Sequence, residues 1–178
     1  MIKDGFIILN ILPADDYTEG ESFSTDIFNA LDGTEKRAKK TNTLKRTISY
    51  SAYTTEEQTA DTLEEILTYA LKYNCLHPLW FSEAKIQNAG SATVIQCDTT
   101  KSDFKVGNYA LARRDFYTFY CEKITAITDN SVTLENSVTL EEGMVILPLI
   151  KATPDKSLSY NFTTSRFSKW QLNFKELL

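Results

Sequence analysis

The segment from Thr54 to Asn74 carries the clearest helical pattern in the chain, and it constrains the fold because the segments around it read as strands. Leu63, Ile66, Leu67, Ala70 and Leu71 recur at i, i+3, i+4, i+7 and i+8, which lays one apolar stripe along a helix and calls for a sheet to pack on. Thr54 with Glu57, and Thr55 with Gln58, each fit a capping box, whose side chains satisfy orphan backbone N–H groups. Glu56 and Glu57 stand in the first turn, where the helix dipole favours negative charge. Asn74 terminates the pattern and Pro78 forbids its continuation.

Residues 45–53 alternate: Ile48, Tyr50 and Ala52 face one way, and Thr47, Ser49 and Ser51 the other. That is a half-buried strand. Residues 5–12 are apolar and β-branched and read as a strand or a buried extended arm. Residues 13–26, with Pro13, Asp15, Asp16, Glu19 and Gly20, read as a loop. A short strand around Ile27 and Phe28 then leads to a turn at Gly33. After the helix, His77-Pro78-Leu79-Trp80-Phe81 reads as a short bulky strand.

Asn88-Ala89-Gly90-Ser91 looks like a boundary. From there to about residue 150, short strands at 93–97, 109–112, 116–127, 132–134 and 144–149 alternate with turn signals, as in a small antiparallel barrel or sandwich. Ser131–Asn136 and Ser137–Glu142 are a near repeat. Two copies cannot build a solenoid, and they read as one strand followed by a loop of similar composition. Trp170, Leu172 and Phe174 alternate with Lys169, Gln171, Asn173 and Lys175, a strand that most simply rejoins the first sheet. The expected fold is α+β. One domain, residues 1–88 with a returning strand at 166–178, pairs an antiparallel sheet with the helix; residues 89–152 form a small β-barrel-like domain.

A hydrophobic fraction of 42% with 12% aromatics supports a real core. A formal charge of −5 argues against a dedicated nucleic-acid binder. No apolar run approaches the ~18 residues of a membrane span. The apolar stretch from Phe6 to Leu12 contains Asn10 and has no long hydrophobic region or cleavage site, so synthesis and initial retention in the cytoplasm are expected.

Chemistry-bearing patterns are sparse. Cys75, Cys97 and Cys121 are widely spaced and form no C-x-x-C, and they read as reduced core residues rather than zinc ligands. No phosphate loop, dinucleotide fingerprint, nucleophile elbow or H-E-x-x-H occurs. His77, the one histidine, reads as packed at a strand start. Asp15/Asp16 and Glu56/Glu57 are adjacent pairs that read as solvated or capping residues rather than an acid–base couple. Asp98, Asp103 and Asp129 match no calcium-loop spacing. No cofactor or metal is expected, and no enzymatic activity.

Charge is instead concentrated between Asp32 and Arg46. Asp32-Gly33-x-Glu35-x-Arg37 falls at a turn, and residues 36–46 hold Lys36, Arg37, Lys39, Lys40, Lys45 and Arg46 without an acid. The remainder of the chain is left at −11, with 13 basic residues against 24 acidic. No aromatic interleaves these cations for base stacking. A solvated loop and docking onto an acidic face of a second subunit both explain the run. Trp80 and Phe81 read either as core anchors or as interface residues. Phe116-Tyr117-x-Phe119-Tyr120 places aromatics on both faces of a strand, so one face must meet something besides the barrel core.

D-G-T-E-K-R (Asp32–Arg37), R-T-I-S-Y (Arg46–Tyr50), the capped helix and P-L-W (Pro78–Trp80) occur in that order. F-K-V-G-N-Y-A (Phe104–Ala110), I-T-A-I-T-D-N-S-V-T-L (Ile124–Leu134) and G-M-V-I-L-P-L (Gly143–Leu149) follow. Across residues 5–150 this order resembles the minor tail proteins of long-tailed bacteriophages, found at the tail tip or baseplate. The motifs are short, and their order and spacing carry the likeness. Asn108 stands where an acidic residue is commoner in such proteins, and the Phe116–Tyr120 aromatics depart from their pattern.

The resemblance implies a non-enzymatic virion component forming a homo-oligomeric ring, of which a hexamer is one form. It would contact tail tube or hub on one side and fibres or receptor-binding proteins on the other. The interface residues it suggests are Asp32, Gly33, Glu35, Arg37, Lys39, Lys40, Arg46, Trp80, Phe116 and Tyr117, with no nucleic acid and no membrane among the partners. The residues also leave open a carbohydrate- or ligand-binding β module with an α/β cap. A hydrolase using Asp/Glu pairs is a third reading.

Overall fold

The computed structural model describes residues 2–22, 25–29, 35–39, 45–54, 57–154, 159–164 and 167–177. In chain order the elements are β1 (Ile2–Lys3), β2 (Phe6–Ile8), β3 (Asp15–Ser22), β4 (Thr25–Asn29), β5 (Glu35–Lys39) and β6 (Lys45–Thr54). Helix α1 (Glu57–Tyr73) follows, then β7 (Cys75–Pro78), a 3₁₀ turn (Trp80–Ser82), β8 (Ala84–Lys85), β9 (Gly90–Gln96) and β10 (Tyr109–Arg113). The chain continues with β11 (Phe119–Thr128), β12 (Ser131–Leu140), β13 (Val145–Pro154), β14 (Ser159–Thr164) and β15 (Phe167–Glu176). The fold is α+β: a largely β chain whose mixed sheet curls into a half-barrel, with α1 as the one α-helix among the described residues.

Strand β13 organises the sheet. One edge pairs with β7 and β8; the other pairs with β10 through Val145–Leu149 and with β15 through Ala152–Pro154. Beyond β10 the order runs β11, β12, β9, and beyond β15 it runs β6, β3. The pairs are antiparallel except β2–β7, which is parallel and holds the N-terminal arm against the sheet. β15 matches β6 from Ser168↔Thr54 to Lys175↔Thr47.

Alternation sorts the side chains of β13 among three cores. Ile150 and Ala152 join Ile48, Tyr50, Ala52, Trp170, Leu172 and Phe174 beneath Leu63, Leu67 and Ala70 of α1. Ile146, farther along the same face, joins Ile95, Ile124, Val132, Leu134 and Val138 of the β9–β12 unit. Leu147 and Leu149, on the opposite face, meet Ile8, Leu76, Leu111 and Cys121. β10 likewise sends Ala110 and Ala112 to the β9–β12 core and Tyr109 and Leu111 to this third cluster.

The alternating strands at Ile48–Ala52 and Trp170–Phe174 are buried as their period requires, each of the six residues at 2% exposure or less. Asn74 takes a left-handed φ of 64°, and its N–H donates to Ala70 O at 3.0 Å, closing the helix. Leu71 is an exception, 46% exposed because the stripe facing the sheet is only as wide as Leu63, Leu67 and Ala70 with Ile66 at its rim. Of the expected capping boxes, Thr54 ends β6 and Glu57 opens α1, whereas Thr55 and the turn at Gly33 lie outside the described residues.

Three expectations are corrected. Residues 15–22, read as a loop, form β3 against β6. Its acids suit an edge strand, where charge discourages further pairing. A Cβ at Gly20 would stand 3.0 Å from Thr47 Oγ1 on the neighbouring strand. The second S-V-T-L copy is not a loop but the end of β12, whose register against β9 shifts between Thr133 and Val138. The six-residue offset is even, so both copies bury the same positions, Val132 and Leu134, then Val138 and Leu140, with exposed Glu135-Asn136-Ser137 at the shift between them. The His77–Phe81 segment leaves the sheet at Pro78 and turns through Trp80–Ser82, so Trp80 and Phe81 do not alternate as strand neighbours.

Arg46 fastens β6 to the β9–β12 unit. Its Nε lies 3.3 Å from Glu21, its Nη2 donates to Asp103, and its backbone N–H donates to Glu176 Oε2 at 3.1 Å. Because Asp103 is 40% exposed, solvent screens much of this pair. Asp103→Ala is therefore expected to cost about 1 kcal/mol of unfolding free energy, and a urea titration with Arg46→Met as the second arm of a double-mutant cycle measures the coupling.

Candidate functional site

The β10–β11 hairpin presents the most distinctive surface among the described residues. Its strands end at the Arg113↔Phe119 pair, and Arg114 N donates to Thr118 O at 3.0 Å. Asp115 Oδ1 accepts from the N–H groups of Tyr117 (2.9 Å) and Thr118 (2.7 Å). The bonds to Thr118 and Tyr117 hold the Asp115 carboxyl below its usual range despite some desolvation. An aspartate bonded to the N–H groups two and three residues on fixes a tight tip.

From that tip the aromatics diverge. Phe116 packs on the helix core, Phe119 on the third cluster and Tyr120 on the β9–β12 core. Tyr117 is 72% exposed and meets Phe116 edge-on, with centroids 5.1 Å apart. The cluster expected to face more than the barrel core thus reaches all three cores and solvent.

Asn10 anchors the tip from behind. Its Nδ2 donates to Asp115 O at 2.8 Å and Phe116 O at 3.0 Å, whereas its Oδ1 is buried without a donor. Ile8, Asn10, Thr62, Ile66, Phe116, Tyr117 and Phe119 line a groove of about 350 Å³ beside it. An adjoining groove, lined by Ile2, Ile7, Thr62, Glu65, Ile66 and Tyr69, shares Thr62 and Ile66 with the first. Ile2 and Tyr69 on its margin are 60% and 41% exposed. Together they make an open, largely apolar trough between α1 and the N-terminal arm, with Asn10 in its lining. Asn10 was visible in the sequence as the lone amide within the Phe6–Leu12 run, but its bonds to a loop more than a hundred residues away were not.

The remaining candidates are scattered. Glu35 and Arg37, read in a turn, and Lys39, read in a cationic loop, stand instead at alternate positions of strand β5, which pairs with β4 in a separate two-stranded ribbon. Asp32, Gly33 and Lys40 lie outside the described residues. Arg46 is engaged by the acids named above rather than presented for docking. Trp80 is half-buried in the third cluster, with the Arg113 guanidinium carbon 5.1 Å from its ring centroid. Phe81 is 71% exposed and meets Tyr17 edge-on at 4.8 Å.

Compared with models of known protein families and with curated protein sequences, the chain matches none. Its function must be read from the residues and their geometry.

Among the described residues, the histidine and the cysteines are core groups. His77 is fully buried, with Nε2 3.2 Å from Tyr50 Oη, and burial depresses its pKa to about 3. The three cysteines are free and buried, and burial pushes Cys97 up to about 11 and Cys121 to about 12, with Cys75 higher still. Such thiols stay protonated and unreactive at neutral pH. Among the described residues no group of three His, Cys, Asp or Glu side chains is placed to hold a metal ion, and no helix is long and apolar enough to cross a membrane.

Proposed function

We propose that this protein is a structural component of a bacteriophage tail tip or baseplate. It assembles as a subunit of a homo-oligomeric ring and links tail tube or hub to fibres or receptor-binding proteins. The observation that carries the docking part of this reading is the trough at the hairpin tip, where exposed Tyr117 and Ile2 border apolar walls. An exposed apolar patch of this kind suits a protein segment that supplies apolar side chains. The order of sequence motifs supplies the virion context.

Immuno-electron microscopy of intact particles tests the location: label at the tail tip is expected, and label on capsids or absent from particles refutes it. Tyr117→Ala tests the surface. Its effect on the isolated chain is expected to stay within about 0.5 kcal/mol, as for exposed substitutions generally, while incorporation into tails falls. Unchanged incorporation, scored by immunoblot of purified particles, counts against the trough as the docking site.

Carbohydrate binding is the second reading, because exposed Tyr117 offers a stacking face at the rim of the groove. Calorimetric titration with neutral oligosaccharides decides it: saturable heat lost in Tyr117→Ala supports this reading over the first.

A further inference from the structure

Arg113 closes β10 and is only 8% exposed. Its Nε is sealed from solvent and has no acceptor, and among the described residues no hydrogen bond or ion pair engages its guanidinium. Beside it, Trp80 Nε1 is a second sealed donor with no acceptor. The guanidinium lies over the Trp80 ring, which attracts the charge through its face but uses none of its N–H groups. Burial lowers the Arg113 pKa, and Glu83 and Asp115 favour its charged form from nearby, yet neither pairs with it. An arginine remains protonated in such surroundings.

Buried polar groups in folded proteins are nearly always hydrogen-bonded. Here two orphans occur on touching side chains, and both are donors. A single group that satisfies both must accept, and beside a guanidinium fork a planar oxyanion fits best. A ligand reaches the sealed donors only by displacing their cover, which lies near the surface: Trp80 opens the 3₁₀ turn, is itself half-buried, and is followed by the exposed Phe81.

We propose that Arg113 and Trp80 form a receptor for one carboxylate. The site is separate from the trough and does not depend on the assembly reading. The carboxylate comes either from a free small acid or from an Asp or Glu side chain of a second copy of this acidic chain.

Nitrogen-15 NMR of the full chain distinguishes the sources. The Trp80 indole N–H and the Arg113 Nε–H are the reporters, and Trp170, 2% exposed in the helix core, is the internal control. Sodium acetate is titrated against sodium chloride at equal ionic strength. A saturable shift of both reporters in acetate alone, with Trp170 unmoved, supports a free carboxylate. Shifts that follow protein concentration without acetate support a side chain from a second copy. Reporters that stay fixed in both series, or move equally with chloride, overturn the proposal. Arg113→Met keeps the volume and is expected to abolish the Trp80 response; a persisting response overturns the site. Should that variant misfold, judged by the Trp170 signal, Arg113→Lys serves instead. It keeps charge without the fork, so roughly tenfold weaker acetate binding is expected, and undiminished affinity overturns the assignment.

Discussion

Phe174→Ala is expected to remove about 3–5 kcal/mol of unfolding free energy, the usual cost of emptying a buried aromatic site. Phe174 is 1% exposed, stacks with Tyr50 at 6.1 Å and stands 4.6 Å from the His77 ring. In the ladder it lies between Ile48 of β6 and Pro154 of β13, where β15 joins the two parts of the sheet. The aromatic, histidine and proline neighbours are too stiff to collapse fully into the space left behind, so the cavity term adds to lost burial. Against a typical total of about 5–15 kcal/mol, this loss brings a single chain close to unfolding at physiological temperature. Phe174→Leu keeps much of the volume and should cost less than about 1.5 kcal/mol. Urea unfolding followed by tryptophan fluorescence measures both, and an alanine cost below about 1 kcal/mol would contradict the placement of β15.

The second large effect is acid sensitivity set by His77. The unfolded chain protonates this imidazole near its ordinary pKa of 6.5, whereas the folded chain holds it neutral down to about 3. Between those values the unfolded state binds more protons, so stability falls as pH falls. The slope from this residue approaches about 1.4 kcal/mol per pH unit between roughly pH 6 and 4. Above pH 6.5 the group is neutral in both states and contributes no slope. His77→Gln retains an amide near the Tyr50 hydroxyl without a titrating ring. Its unfolding free energy is expected to fall less steeply on acidification than that of the parent, and matched chemical denaturation at pH 4.5, 5.5 and 7 reads the difference. Parallel curves would show that His77 is not the group excluded from protonation.

The periodic elements of this fold were legible because burial imposes a period. Ile48-x-Tyr50-x-Ala52 and Trp170-x-Leu172-x-Phe174 announced strands with one buried face, and Leu63 with Leu67 and Ala70 announced the helix. β3 was hidden because an edge strand is stabilised by backbone pairing with β6 and carries acids toward water, which gives it the composition of a loop. The second S-V-T-L copy was misread for another reason: its even offset keeps Val138 and Leu140 on the face of Val132 and Leu134, but the polar Glu135-Asn136-Ser137 between them, where the register shifts, interrupts the alternation. The candidate surface was half legible. The Phe116–Tyr120 aromatics were evident as too many for one core, but Asn10 and Arg113 acquire meaning only through contacts made in three dimensions. Arg46 shows the converse, a cation that looked available and is held by Glu21 and Asp103.

The pairing of β6 with β15 also sets a timetable. Ile48, Tyr50 and Ala52 leave the ribosome well before Trp170, Leu172 and Phe174, an interval of roughly 6 to 25 seconds at synthesis rates of ~5–20 residues per second. Until then β6 lacks one of its neighbours, and the core beneath the helix lacks Trp170, Leu172 and Phe174. The β10–β11 and β11–β12 hairpins meet no such delay, since their partners are adjacent in the chain. The half of the molecule made first is therefore the half completed last, and its apolar strand and helix spend that interval exposed to whatever else in the cell binds unfinished chains.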